Sequence, residues 1–574
     1  MKKYLNICIL SKRIKVARGL LNADLVLKDA MIPNLFTNEM INADVAIVDG
    51  YIAGIGDYSA YEIINCKNKY VCPAFVDGHV HLESTMALPG EFAKTVIPHG
   101  TLTVVADPHE IANVCGLKGI RYFIDDTEQL PMTIYFMAPS CVPATPHENN
   151  GATLTAQDLA ELLTHPRVLG LGEVMDYTSV INTNENMLQK LRTFKSRKID
   201  GHLSAVFGNE ACAYVSAGIL TNHECVTPQE VLEYLRLGMY IQVREGSAAK
   251  NLNMVLSTAQ DRNICLDRLF FCTDDKHLED IMCEGHILNN VRKAIDLGFS
   301  IYDVLRMSSL NSARCYGLDD IGAVAPGFRA DVLIVTDISS FNIERVIFGG
   351  KTVSFKGSTP KVERRPESAE VRDTVHIAPI SLKDLELRLT NGQANVISVI
   401  PEQLITKLET VKVRTKKGIF IPDKEFSKVA VIERHKATGK IGLGIVRGFA
   451  IERGAIASTI SHDSHNIIVI GDNDNDMLTA VDALHKSAGG IYVVSSGKII
   501  GGLPLPIAGL MSEMGAAEIA SRIKELTETA YRCGVNQDIE PFGILSFLSL
   551  PVIPEVRITP EGLFNVFEER IIPV

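Results

Sequence analysis

At 574 residues the chain is too long for one hydrophobic core, and domain-size statistics allow about three or four domains, one of them a large body with satellites. A formal net charge of -11 and a pI near 5.8 argue against nucleic acid or an anionic membrane as partner, because either needs basic stripes to neutralise phosphates; a small molecule is expected instead. The 12 cysteines are scattered without a CxxC pair, which reads as reduced, mostly buried thiols in a cytoplasmic protein.

The amino terminus, MKKYLNICILSKRIKVARG, carries basic residues before a short apolar run that Asn6 interrupts, and no small-residue cleavage site follows. Nor does any stretch approach the roughly 18 apolar residues of a membrane span. Residues 1–70 then read as short strands joined by hairpins, with Asp49-Gly50 as a turn signal. The same texture returns at 319–360, which predicts one small β-sandwich domain assembled from both ends of the large body.

Within that body, 71–318, eight strand-length apolar runs alternate with helical stretches: YVCPAFVDGHVH, TLTVVADPH, MTIYFMAPS, VLGLGEVMD, IDGHLS, GILTNHE, MYIQVREGS and LFFCTDD. Continuous apolar strands separated by helices predict a parallel sheet covered on both faces, and eight of them predict a closed (β/α)8 barrel of the TIM type. Chemistry in such a barrel sits at the carboxyl ends of the strands, where each run here ends in a polar residue. Residues 357–380 are polar and proline-bearing and read as a linker. From 381 to 574 strands (IGLGIVRGFAI, NIIVIG, GIYVVSSGKIIGG) and the helix MGAAEIASRIKELTETAYRCG predict a second α/β unit.

The strand-end residues form one ring. His79 and His81 are two apart on an extended segment, so both imidazoles face the same side and can reach one ion. Glu173, His202, His223 and Asp274 end four of the later runs. A single strand-end histidine is more often a capped or solvated residue than a ligand; four in register, with two carboxylates, suit two divalent cations. His99, His147, His165, His277 and His286 fit no strand end and read as structural or surface residues. A water bridging two metals is acidified toward hydroxide, and Asp274 could take its proton and pass it to a leaving group, which implies hydrolysis at a carbon bearing nitrogen.

This ring resembles that of the amidohydrolase superfamily, whose members hold one or two metals with an HxH pair on the first barrel strand, a Lys or Glu on the fourth, histidines on the fifth and sixth and an aspartate on the eighth. The matching residues are His79, His81, Glu173, His202, His223 and Asp274; Glu173 departs from the carboxylated lysine of hydantoinases and dihydroorotases. DGHVHLESTM, VVADPHEIANVCG, GLGEVMD, QVREGSAAKNL, FCTDDKHLEDI, STISHDSHNIIVIGDNDNDM and LPLPIAGLMS together resemble the bacterial adenine deaminase family over nearly the whole chain. That resemblance implies deamination of adenine to hypoxanthine, Mn(II) or Fe(II) with Zn(II) also compatible, a binuclear centre, and a homodimer or larger homo-oligomer. It makes Asp274 and Glu110 the candidates for catalysis, and Glu83, His109, Arg244, Glu245 and Asp275 the candidates for holding the base or assisting proton transfer.

Other amidohydrolase reactions, opening of a cyclic amide or N-deacylation, remain open at this point, as does a barrel kept only as a scaffold. The cytidine-type zinc deaminase design needs a PCxxC that the chain lacks. Ser461–Asn466, SHDSHN, reads either as a hydrogen-bonded loop or as a segment closing over the barrel mouth and touching substrate or an extra metal. GDNDNDM lacks EF-hand spacing and predicts a helix start.

Overall fold

The computed structural model describes residues 7–362, 368–401 and 403–574. Residues 1–6 and 363–367, part of the expected linker, lie outside the described residues.

Ile7–Ala17 is a helix, where the sequence reading expected only strands. Only Val16 of it is buried, against Val26, Ala46 and Val48, so no periodic apolar face marks it. Five strands follow: β1 (Ala23–Asn34), β2 (Glu39–Val48), β3 (Tyr51–Gly56), β4 (Ala60–Asn65) and β5 (Tyr70–Pro73). β1 pairs β2 over Leu25–Leu27 and Ala30–Asn34, with a register shift between Leu27 and Ala30, while its first half pairs β4 and Met31 in its second half pairs β5.

Eight strands then build the central body: β6 (Phe75–Val80), β7 (Thr101–Ala106), β8 (Thr133–Ala138), β9 (Val168–Val174), β10 (Lys198–Gly201), β11 (Thr221–Asn222), β12 (Tyr240–Arg244) and β13 (Leu269–Cys272). Each coincides with one of the eight apolar runs. All ladders between them are parallel, β6 through β10 in one set and β11 through β13 in another. Two seams close the ring. Leu220 N–H donates to Ile199 O at 3.3 Å and Gly201 N–H to Thr221 Oγ1 at 3.1 Å between β10 and β11. Asp274 N–H donates to His79 O at 2.9 Å, and Val80 bridges Asp274, joining the last strand to the first. Burial on both faces explains why these strands read as unbroken apolar runs.

β14 (Val332–Asp337), β15 (Asn342–Phe348) and β16 (Lys351–Phe355) return to the first sheet, β14 pairing β5 antiparallel. Residues from both arms of this forked sheet, Leu27, Val45, Ile47, Val332, Ile334 and Ile347 among them, share one apolar cluster. The described part of the polar segment 368–380 is packed rather than free: Val371 O accepts from Ala508 N–H at 2.6 Å, and Val375 is buried on the carboxyl-terminal sheet.

That last sheet has eight strands, antiparallel except for the contact between Gln393–Val399 and Ile441–Arg447. Side chains alternate across it, as a period of two requires. Ala430, Ile432 and Val469 face the helix Asp474–Lys486, whereas Val429, Val431 and Ile468 lie with the helix Ala516–Arg532. Asn473 caps the first of these helices by accepting from Asp476 N–H, the helix start expected of GDNDNDM.

Candidate active site

The strand ends bring the six ring residues together in the barrel mouth, and all but His202 are buried. Glu173 stands between two pairs of imidazoles. Its Oε1 lies 3.4 Å from His81 Nε2 and 3.8 Å from His79 Nε2, while its Oε2 lies 2.8 Å from His202 Nδ1 and 3.4 Å from His223 Nε2. Asp274 Oδ1 completes the first group, 3.0 Å from His81 Nε2 and 3.4 Å from His79 Nε2. Asp274 adopts φ 58°, a left-handed conformation that aspartate tolerates better than most residues and that turns the chain at the β13 end.

These groups fit divalent cations. Both ring nitrogens of His79 and Nδ1 of His223 are buried without hydrogen-bond partners, a costly state that a cation taking the one lone pair of each ring would partly relieve. His81 Nδ1 is spent on Asp107 O at 3.0 Å, which fixes the tautomer and leaves Nε2 free for a ligand role. The electrostatics agree. Burial would raise the Asp274 carboxyl, but Arg244, His79 and His81 hold it well below its usual range; the histidines around Glu173 do the same. Burial and the charge of His79 lower His223 to about 3, so it stays neutral and able to ligate.

Local sequence builds this geometry at two glycines. A Cβ on Gly78 would meet the Phe270 ring at 2.2 Å, so the Asp-Gly-His order lets β6 approach β13. A Cβ on Gly172 would sit 2.2 Å from Asp107 Oδ2, the oxygen that accepts Glu173 N–H at 2.9 Å. Gly172→Ala is therefore expected to displace Asp107, destabilise the chain by about 1–3 kcal/mol and weaken metal retention. Thermal unfolding and metal content measure both effects; a variant unchanged in each would contradict this role.

The candidates for holding the base divide. Arg244 Nη1 donates to Asp274 Oδ2 at 2.7 Å and also pairs with Glu224. Glu83 Oε1 accepts from Ile111 N–H at 3.0 Å, Oε2 has no partner, and burial pushes the carboxyl up to about 7 against the pull of the Ile111 amide. Asp275 accepts from Ser84 Oγ, and its charge acts on His81. Glu245 is not brought to the ring: its carboxylate pairs with Lys293 on the helix Ile287–Asp296, because successive strand residues point to opposite sides and Arg244 takes the inward one.

His109 Nδ1 lies 3.4 Å from Glu173 Oε1, and its Nε2 the same distance from Glu110 Oε1. Glu110 turns to the other end of the chain. His462 Nδ1 lies 2.7 Å from its Oε1 and His465 Nε2 contacts its Oε2, so the Ser461–Asn466 loop is hydrogen-bonded to the segment that follows β7. The His462 ring also stacks on Phe547 with centroids 4.4 Å apart.

Sequence reasoning passed over Asp107, Cys141 and Glu224 and had Asp463 only as part of the Ser461–Asn466 segment; all four face this region. The strand-end rule could have found Asp107 in ADPHE and Glu224 in NHE; nothing local marks Cys141.

Comparison with known proteins gives two family matches, the amidohydrolase family over residues 70–353 and the adenine deaminase C-terminal domain over 403–570. Adenine deaminase 2 of Carboxydothermus hydrogenoformans is 45% identical over 563 residues, covering 98% of both chains. Adenine deaminase of Clostridium acetobutylicum is 46% identical over 566 residues, covering 97% of this chain and 99% of its own. Among solved structures, a β-aspartyl dipeptidase from Fervidobacterium islandicum AW-1 covers 59% of this chain and 99% of its own at 17% identity, with a TM-score of 0.45.

Proposed function

The chain belongs to the adenine deaminase family of amidohydrolases, and from that premise we propose that it hydrolyses adenine to hypoxanthine and ammonia in its barrel mouth. Family membership over nearly the full length disposes of the ring-opening, N-deacylation and scaffold alternatives. The observation that carries the chemistry is Glu173, whose two oxygens face two separate pairs of histidines.

In this reading His79, His81 and Asp274 would hold one divalent ion, His202 and His223 a second, and Glu173 would span both. The pair, Mn(II) or Fe(II) by family resemblance, supplies the Lewis acidity that turns a water into a nucleophile near neutral pH. Arg244 fixes Asp274 Oδ2 and keeps the carboxylate ionised, so Asp274 can accept a proton from the attacking water. As C6 becomes tetrahedral, ring nitrogen N1 gains a proton; Glu83, whose carboxyl burial pushes up to about 7, is the proposed donor. Asp274 then passes the proton it took to the exocyclic nitrogen, the C6–N bond breaks, ammonia leaves, and the second proton of the water, left on the C6 oxygen, returns to Glu83 as the C6 carbonyl of hypoxanthine forms. Asp275, held by Ser84, is proposed to hydrogen-bond the base.

Ammonia release from adenine, adenosine and guanine, with and without Mn(II), tests the reading. Adenine is expected to give equimolar hypoxanthine and ammonia, with activity lost on chelation and regained with Mn(II) or Fe(II). A metal-replete enzyme that leaves adenine untouched would overturn it.

A further inference from the structure

Beside the six-residue ring, three donor-bearing side chains meet from distant parts of the chain. His109 opens the helix His109–Cys115 after β7, Cys141 follows β8, and Asp463 comes from the Ser461–Asn466 loop. One donor atom from each lies within 4.8 Å of the others, and the residues are only 3%, 2% and 2% exposed. His109 Nδ1 and Asp463 Oδ2 have no hydrogen-bond partner. Asp107 Oδ1 is equally unpartnered and stands 3.7 Å from His109 Nδ1. Tetrahedral ligands at about 2.0–2.3 Å from an ion are themselves about 3.3–3.8 Å apart, so this separation suits two ligands of one cation.

The neighbouring Glu110, His462 and His465 group is also compact, but its members satisfy one another by hydrogen bonds and leave no comparable unpaired atoms. Unpaired polar atoms without water are expensive, and those around His109 have a single common remedy.

We infer that His109, Cys141, Asp463 and Asp107 bind a further divalent transition-metal ion, distinct from the catalytic pair, which fastens the carboxyl-terminal loop to the barrel. Imidazole, thiolate and carboxylate together select a borderline-soft ion such as Zn(II), Fe(II) or Co(II) over Mg(II) or Ca(II). Cys141 binds as the thiolate and releases its proton to solvent. Four donors close the coordination sphere, so the ion acts as a tie between segments, and His109 serves as a ligand instead of contacting the base.

The inference rests on the binuclear reading only for the count of two ions in the ring. Its test uses the full-length chain loaded with Co(II), freed of loosely bound metal, and read by metal content and absorption. Three ions per chain and a thiolate-to-cobalt charge-transfer band in the near ultraviolet are expected. Cys141→Ser is expected to lose the band and one ion, Asp463→Asn to lose that ion, and Cys283→Ser, at an exposed thiol, to keep both. Should Cys141→Ser not fold, the wild-type ion count and band still decide. Two ions without a band, or a band that survives Cys141→Ser, would overturn the inference. Adenine turnover in the same samples separates the two claims. Turnover with two ions sinks the third site alone, whereas three ions without turnover on adenine sink the deaminase reading alone.

Discussion

Asp274→Asn is expected to lower turnover of adenine by at least about 10³-fold while the barrel stays folded, because general acid–base catalysis by one group contributes about 10²–10⁴ and the amide is also a poorer ligand. The carboxylate has three partners that show why. Oδ1 faces His79 and His81, Oδ2 takes the Arg244 hydrogen bond, and the backbone N–H closes the barrel on His79 O. Asparagine keeps the backbone link and the size, so circular dichroism should match the wild type. It forfeits the proton acceptor and leaves Arg244 with Glu224 as its remaining carboxylate partner. Activity within tenfold of wild type, at full metal loading, would remove Asp274 from the chemistry.

The barrel and its ring were readable because both follow local rules. A parallel strand buried on both faces is a continuous apolar run, and a polar residue that ends such a run faces the mouth. His79, His81, Glu173, His202, His223 and Asp274 all obey that rule. Glu245 marks where it was applied too loosely: it follows Arg244 by one residue, and alternation sends it to Lys293 instead. The helix Ile7–Ala17 escaped because one buried residue makes no periodicity. What no local pattern carries is pairing across the chain. Glu110 meets His462 and His465 over separations of 352 and 355 residues, and Asp463 reaches His109 and Cys141 in the same way. Only the docking of one unit on another brings those residues together, and that depends on packing rather than on spacing.

Glu110→Ala is expected to release the Ser461–Asn466 loop, since removing one partner of a buried ion pair costs about 3–5 kcal/mol. The pH dependence gives the sharper signature. Burial disfavours a charged His462, but Glu110 raises its pKa to about 9; the stabilisation is complete below the unfolded value of about 6.5 and is lost as pH rises through 9. His465 moves the other way, to about 4, chiefly by burial, so the unfolded state takes up its proton first and stability falls as pH drops from about 6.5 to 4. Glu110 itself, ionised well below its usual range because His462, His465 and His109 outweigh its burial, loses its contribution only at still lower pH. Protection of the loop should therefore peak near pH 6.5 and decline on both sides. Each shift of about 2.5 units corresponds to about 3 kcal/mol. In a chain of several domains a single unfolding midpoint is ill defined, so hydrogen exchange of the loop amides, corrected for intrinsic rates, is the appropriate measurement. The His465 N–H bond to Ser461 O at 2.7 Å and the His462 N–H bond to Ser546 O at 3.0 Å are the reporters. In Glu110→Ala these amides should exchange faster at every pH and lose the alkaline decline, because the charge that raised His462 is gone; the same alkaline decline in variant and wild type would show that Glu110 does not hold the loop.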